Sequence, residues 1–263
     1  DAPWTSSFSQ SEYCTYVESI RDSIAKGWVY QVNACRILSA EHKADNLRGL
    51  FSQILLNNPA PWASYFEIPG LNIASASPEL FFERSGDLAK TSPIKGTQRL
   101  EENGFGIKDT AENVMIVDLM RNDFGRICES GTVEVTRLLA NEDHPGLRHL
   151  VSDIEGQVRN NLTWKEILES LSPPGSISGA PKSSALSVIR EKESVRGPYC
   201  GALGWIEGKN AQLSVAIRIF WKDEKIHFGT GAGITWNSDP IQEWEETQLK
   251  ATRLISIAGG ELL

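Results

Sequence analysis

Ala63-Ser-Tyr-Phe-Glu-Ile68, Leu71-Asn-Ile-Ala-Ser75, Leu80-Phe-Phe-Glu-Arg84 and Asp87-Leu-Ala-Lys-Thr91 are four short runs, most of them rich in aromatic and aliphatic residues. Pro69-Gly70 and Ser85-Gly86-Asp87 interrupt them with turn chemistry. Runs of this length between such turns read as strands joined by hairpins, which pair antiparallel. Outward from this block, Val29–Leu38 reads as another strand, and Thr132–Leu139 and Arg148–Val158 as two more. Three further strands are expected at Gly201–Ile206, Leu213–Trp221 and Lys225–Gly229. Helical spacing of Tyr13, Val17, Ile20 and Ile24 predicts a helix over Ser9–Lys26, closed by Gly27. Asn46–Asn57, Lys108–Asp123 and Lys182–Lys192 read as helices. Thr163-Trp-Lys-Glu166 is a capping box opening one to Leu171. Asp239-Pro240 opens the last helix, with Asp as cap and Pro at the first helical position. The pattern predicts an α+β layered fold of mainly antiparallel sheets covered by helices, organised as one domain over 1–263.

The 263 residues carry 26 basic and 34 acidic side chains, a net charge of −8. That balance, with 40% apolar residues, fits a globular protein and argues against nucleic acid or an anionic membrane as the main partner. No apolar run approaches the roughly 18 residues of a membrane span, and no signal peptide is visible. Cys14, Cys35, Cys128 and Cys200 are scattered, so reduced thiols in a cytoplasmic setting are the expectation. An acidic chain that binds an anion needs a local source of positive charge.

Two carboxylate pairs have helical spacing, Asp109 with Glu112 and Glu243 with Glu246. Members three apart share a face and repel, so an inward-facing pair calls for a cation, and oxygen ligands suit Mg²⁺. The same pairs also fit a solvated surface. Ser176-Ile-Ser-Gly-Ala-Pro-Lys182 precedes a helix and could receive an anion. Gly229-Thr-Gly-Ala-Gly-Ile234 follows a strand, where glycines let a ligand approach or simply make a turn. Pro93-Ile-Lys-Gly-Thr97 reads as a strand-ending turn. Its Lys95 is either an exposed turn lysine or, desolvated, a nucleophile. His149 sits in an apolar strand as a core histidine or a proton donor. Arg218, alone among apolar neighbours, needs a carboxylate partner, from the protein or from a ligand.

Taken together, these segments resemble the chorismate-utilising enzymes. The matching stretches are Gly27-Trp-Val-Tyr-Gln-Val-Asn33, Asn58-Pro-Ala-Pro-Trp62, Ala76-Ser-Pro-Glu-Leu80 and Ser92-Pro-Ile-Lys-Gly-Thr97. Ala111-Glu-Asn-Val-Met-Ile-Val-Asp-Leu-Met-Arg-Asn-Asp-Phe-Gly-Arg126, Ser178-Gly-Ala-Pro-Lys182, Gly231-Ala-Gly-Ile234 and Glu243-Trp-Glu-Glu-Thr247 with Lys250 continue the series. The resemblance implies that both acidic pairs hold Mg²⁺, Glu112 and Glu246 directly, and Asp109, a carbon shorter than the Glu often found there, through water. It places the substrate's enolpyruvyl carboxylate on Tyr199, Arg218 and the Gly231 and Gly233 backbone. Lys250 would lie near the ring carboxylate, Ser176 would belong to the substrate site, and Thr97 and His149 would flank the ring.

Two positions choose within the family. Water-adding and salicylate-forming members resemble one another in having Lys where this chain has Gln31, and Ala where it has Lys95. Water needs a general base whereas ammonia is already a nucleophile, so Gln31 favours an aminating member. Pro-Ile-Lys-Gly-Thr is similar to component I of aminodeoxychorismate synthase, whereas anthranilate synthases look like Pro-x-Ala-Gly-Thr. In the implied mechanism Lys95 displaces the ring hydroxyl and ammonia then displaces Lys95, to give 4-amino-4-deoxychorismate on the way to folate. Ammonia would come from a glutamine amidotransferase subunit. The alternatives are anthranilate synthase component I and a non-catalytic chorismate-binding module. Full-length members carry an N-terminal portion, so the chain is expected to correspond to the chorismate-binding region alone.

Overall fold

The computed structural model describes residues 3–101, 104–144 and 147–261. In chain order the elements are β1 (Thr5–Ser6), α1 (Gln10–Ala25), β2 (Gln31–Ala40), α2 (Arg48–Asn57), β3 (Trp62–Ile68), β4 (Leu71–Ser77), β5 (Leu80–Ser85), β6 (Leu88–Ser92) and β7 (Ile94–Arg99). Next come α3 (Ile107–Ile127), β8 (Glu134–His144), β9 (Leu147–Gln157), α4 (Trp164–Leu171), a 3-10 turn at Gly175–Ile177, β10 (Gly179–Ala180) and α5 (Lys182–Lys192). The chain ends with β11 (Ala202–Glu207), β12 (Asn210–Val215), β13 (Ile219–Lys222), β14 (Ile226–Ile234) and α6 (Pro240–Ile257).

Two compact units result, each interrupted in sequence. The first comprises Asp1–Pro78, Ile177–Gly201 and Ala216–Leu263; the second comprises Glu79–Ser176 and Ala202–Val215. The first unit's sheet runs β1-β2-β14-β13-β4-β3, and β1 and β10 share the outer edge of β2. The second unit's sheet runs β11-β12-β5-β6-β9-β7, with β8 also on β9. The named strand pairs are antiparallel. The mixed α+β architecture with antiparallel sheets is therefore the one the hairpin pattern predicts.

Local chemistry explains where helices start. Ser9 Oγ accepts the Glu12 N–H while Glu12 Oε2 accepts the Ser9 N–H at 2.8 Å, closing the first turn of α1. Thr163 and Glu166 repeat the exchange at α4. Asp239 Oδ1 accepts from Ile241 and Gln242 at 3.1 and 3.0 Å, with Pro240 supplying the missing donor position of α6. These caps hold the helices in register while their apolar faces find the sheet. In the first unit α2 and α6 bury Leu50, Ile54, Leu254 and Ile255 against Phe220 and Phe228, whose rings lie 4.8 Å apart. Burial of each such side chain contributes roughly 1.5–3 kcal/mol. In the second unit α3 and α4 bring Phe124 and Trp164 onto Phe82.

Three expectations are corrected. Leu213–Trp221 is not one strand. Its first part belongs to β12 in the second unit and its last to β13 in the first, and Arg218 between them has φ +54°. The apolar run is continuous, so periodicity alone conceals the backbone reversal. Pro93–Thr97 is mostly the opening of β7, whose register on β9 shifts between Ile94 and Thr97 around Gly96 at φ +91°. Finally, the glycine segment does not follow a strand: Gly229 through Ile234 pair with Ile37 through Val32 inside β14.

Candidate active site

In the second unit, β7 carries Lys95 and its Nζ donates to the Ser176 carbonyl at 3.0 Å. The reason for glycine at position 96 is steric as well as conformational. A Cβ there would lie 2.9 Å from the Phe105 ring and 3.2 Å from the Asp109 Cβ. The bulge therefore seats β7 against the first turn of α3. Within that turn Asp109 Oδ2 accepts the Gly106 N–H at 3.1 Å, so one carboxylate of the first acidic pair caps its own helix. Glu112 follows one turn later with Oε1 buried. Asn113 beside it donates to the Leu150 carbonyl at 3.0 Å and accepts from Ser152 Oγ at 2.6 Å, fixing α3 to β9. His149 is buried in β9, in register with Thr97 of β7 and Glu142 of β8. The backbone of Thr97 is described; its side chain lies outside the described residues.

Glu79 is the functional group that sequence reasoning passed over, although it stands in the Ala76–Leu80 stretch. It is 5% exposed, and burial pushes its carboxyl up to about 7. The neighbouring Ser176 hydroxyl, the nearby Lys95 ammonium and the Ile94 backbone oppose that rise without cancelling it. Lys95 thus lies beside an acid that is half ionised near neutrality. The signal available in sequence was a lone acidic residue ahead of Leu80-Phe-Phe82, and only burial gives it meaning.

In the first unit, two of the three glycines of β14, Gly229 and Gly231, give their room to other side chains of the protein. A Cβ on Gly229 would sit 2.1 Å from the Tyr199 ring, and one on Gly231 2.6 Å from Cys35 Sγ. Tyr199 consequently lies flat on the strand, buried, with its hydroxyl held un-ionised chiefly by that burial. Arg218 is close enough to feel Tyr199; burial pulls its pKa down and Tyr199 opposes the shift. Among the described residues no carboxylate pairs with Arg218, so the protein partner considered for it is not one of them. On α6, Lys250 Nζ meets Glu246 Oε1 at 2.5 Å and the Gly231 carbonyl at 3.0 Å. Glu243, one turn earlier, is buried at 3% exposure. Gly233 faces Asn33 in register. Gln31, at the end of β2 beside β10, is 2% exposed, and neither its amide oxygen nor its amide nitrogen has a hydrogen-bond partner. A buried amide left unspent in this way costs about 1–3 kcal/mol unless something completes it.

Within each unit, then, the structure brings Lys95 to Ser176 and Glu79, and Lys250 to Glu246 and Gly231, with Tyr199 near Arg218. Among the described residues, no three His, Cys, Asp or Glu side chains converge. The donor chemistry of the acidic pairs, carboxylate oxygens with Glu112 Oε1 and Glu243 buried, is the kind a hard cation takes.

Residues 1–256 match the family described as chorismate binding enzyme. The chain belongs to that family. Relatives of the chain include an anthranilate synthase component I-like protein of Synechocystis sp., 35% identical over 95% of this chain and 55% of the relative. Anthranilate synthase component 1 of Aquifex aeolicus is 34% identical over 96% of this chain and 54% of its own. Among solved structures, anthranilate synthase component I from Streptococcus pneumoniae superimposes with a TM-score of 0.87 at 30% identity, over 96% of this chain and 59% of that one. A 2,3-dihydroxybenzoate-specific isochorismate synthase from Bacillus anthracis shares the fold, with a TM-score of 0.84 at 20% identity, over 98% of this chain and 74% of that one. The chain spans about half the length of these curated relatives. No helix of the described residues is long and apolar enough to cross a membrane.

Proposed function

We propose that this chain is the chorismate-aminating region of an enzyme that replaces the ring hydroxyl of chorismate with ammonia to give 4-amino-4-deoxychorismate. The observation that carries this reading is Lys95, with Nζ 3.0 Å from the Ser176 carbonyl and next to the neutral-to-ionised acid Glu79. To act as a nucleophile the lysine must shed a proton, and Glu79 in its carboxylate form can take it. The same group, once protonated, can hand the proton to the departing hydroxyl. A carbon–nitrogen bond to Lys95 forms as the carbon–oxygen bond breaks, and ammonia then displaces the lysine. Each displacement is easier than a single uncatalysed one.

Gln31 supports amination from the side of the incoming nucleophile. It cannot act as the base that water addition needs, and its unspent amide offers both a donor and an acceptor to a small neutral molecule. Tyr199, Arg218 and the Gly231 and Gly233 backbone are proposed for the enolpyruvyl carboxylate, Lys250 for the ring carboxylate, and Thr97 and His149 for the ring. Mg²⁺ held by Glu112 and Glu246, with Asp109 and Glu243 in support, would neutralise carboxylate charge on the substrate. The ammonia is proposed to come from a glutamine amidotransferase partner.

The second reading, anthranilate synthase component I, is favoured by the names of the relatives. Lys95 stands against it, because anthranilate synthases look like Pro-x-Ala-Gly-Thr at that point. The test is incubation with chorismate, ammonium and Mg²⁺, followed by aminodeoxychorismate lyase. 4-Aminobenzoate is the expected product; anthranilate alone would replace the leading reading with the second.

A further inference from the structure

We infer that Ser39, His227 and Asp223 form a second nucleophilic site in the first unit, one that cleaves small esters through an acyl-serine. The strand register sets it up. Thr5 of β1, Ser39 of β2, His227 of β14 and Trp221 of β13 stand directly opposite one another across the sheet, so their side chains share one face. Ser39 Oγ lies 2.7 Å from His227 Nδ1, and His227 Nε2 lies 3.0 Å from Asp223 Oδ1. Asp223 sits in the turn between β13 and β14, where the Lys225 N–H also donates to its Oδ1 at 3.1 Å. The Trp221 ring stacks on the imidazole with 5.2 Å between centroids and fixes its plane. None of the three residues has a part in the amination chemistry above.

A carboxylate can only accept, so the proton on His227 is held at Nε2, and Nδ1 is left as the acceptor that the Ser39 hydroxyl meets. Burial raises the Asp223 carboxyl, but the hydrogen bonds from His227 and the Lys225 backbone bring it below the ordinary value, so it is ionised. Nucleophile, base and orienting acid are thus in line, and imidazole serves with either nitrogen toward the serine. The three residues line a cavity of about 420 Å³ together with Thr5, Ser7, Ser194 and Val195. The His227 side chain is 19% exposed, shielded yet reachable. The N–H groups of Ser194 and Val195 donate to no carbonyl among the described residues; they are the unspent donors that this wall has for a developing oxyanion. The size and the hydroxyl lining suit a short, uncharged acyl group. Ser39 Oγ attacks the ester carbonyl carbon as its proton passes to His227 Nδ1. The carbon–oxygen bond then breaks and the alcohol leaves with that proton. Water adds to the acyl carbon and gives a proton to Nδ1, the acid departs, and the proton returns to Ser39. Ester and water become acid and alcohol, with no other reactant.

The experiment treats the folded protein with a fluorophosphonate, which transfers its phosphonyl group to an activated serine with loss of fluoride, and maps the adduct after trypsin. Ser39 is the one serine of the tryptic peptide Ile37–Lys43, so a fluorophosphonate adduct on a serine of that peptide is an adduct of Ser39. Labelling there is expected to exceed that of every other serine peptide by at least about tenfold and to disappear in Ser39→Ala. His227→Gln should slow it by ~10²-fold or more. Asp223 is a positioning residue: Asp223→Asn should slow labelling by ~10-fold or more, and Asp223→Glu should restore it, which a merely structural role would not require. Hydrolysis of 4-nitrophenyl acetate should be at least about tenfold faster in wild type than in Ser39→Ala. A wild-type Ser39 that stays unlabelled, or labels no better than other serines, overturns the inference, as do equal ester hydrolysis in Ser39→Ala and an unchanged labelling rate in His227→Gln. The wild-type map decides the matter even if a variant fails to fold, and it is independent of any turnover of chorismate.

Discussion

Lys95 and Lys250 are the same residue in two different settings. Lys250 is clamped by the Glu246 carboxylate at 2.5 Å and by the Gly231 carbonyl. Lys95 also donates to a carbonyl, that of Ser176, but the acid near it is Glu79, whose carboxyl burial has lifted to about 7. A lysine salt-bridged to an ordinary carboxylate is a fixed positive charge, suited to holding an anion. A lysine beside an acid that exchanges its proton near neutrality is suited to gaining and losing one. The difference arises from burial of the partner and not from the lysine.

Substitutions should separate the two lysines. Lys95→Ala is expected to lower kcat for amination by ~10³-fold or more while chorismate binding, measured by equilibrium dialysis, changes little. An unchanged kcat would remove Lys95 from the chemistry and erase the contrast. Glu79→Gln sharpens it through stability. The Glu79 carboxyl ionises near 7 in the fold against 4.5 when unfolded. Ionisation therefore costs the wild type stability progressively as pH rises through that window, and the cost is constant above it. The variant should gain up to about 3 kcal/mol over wild type at pH 8 and almost nothing at pH 4, by urea denaturation at both pH values. A gain independent of pH would mean that Glu79 is not the titrating group. Lys250→Ala should raise KM for chorismate by ~10- to 100-fold with a smaller effect on kcat, as loss of a charged contact to a bound anion requires. A fall in kcat alone would make the two lysines alike. Thr163→Ala, which removes the helix cap of α4, should cost about 1 kcal/mol in denaturation and leave turnover unchanged.

Much of the fold was legible because its signals are local. The capping box at Thr163 and the Asp239-Pro240 start are written within four residues, and the helices begin there. The hairpins around Pro69-Gly70 and Ser85-Gly86 are equally local. What escaped was non-local. The run Leu213–Trp221 gives no sign that the chain leaves one sheet and joins another at Val215 and Ala216. The glycines of β14 looked like space for a ligand; two of them are space for Tyr199 and Cys35.

The sequence by itself determined the family, through motifs distributed along nearly the whole chain, and it determined the helix starts, the hairpins and the presence of Lys95 and Gln31 at the positions that divide family members. Tertiary structure alone decided the electrostatic character of those residues. Glu79 is an unremarked carboxylate in the sequence and an acid titrating near 7 in the fold, because desolvation is a property of the packed environment. Tyr199 and Cys35 find room on β14 only because Gly229 and Gly231 have no side chain to oppose them, a contact that no local pattern announces.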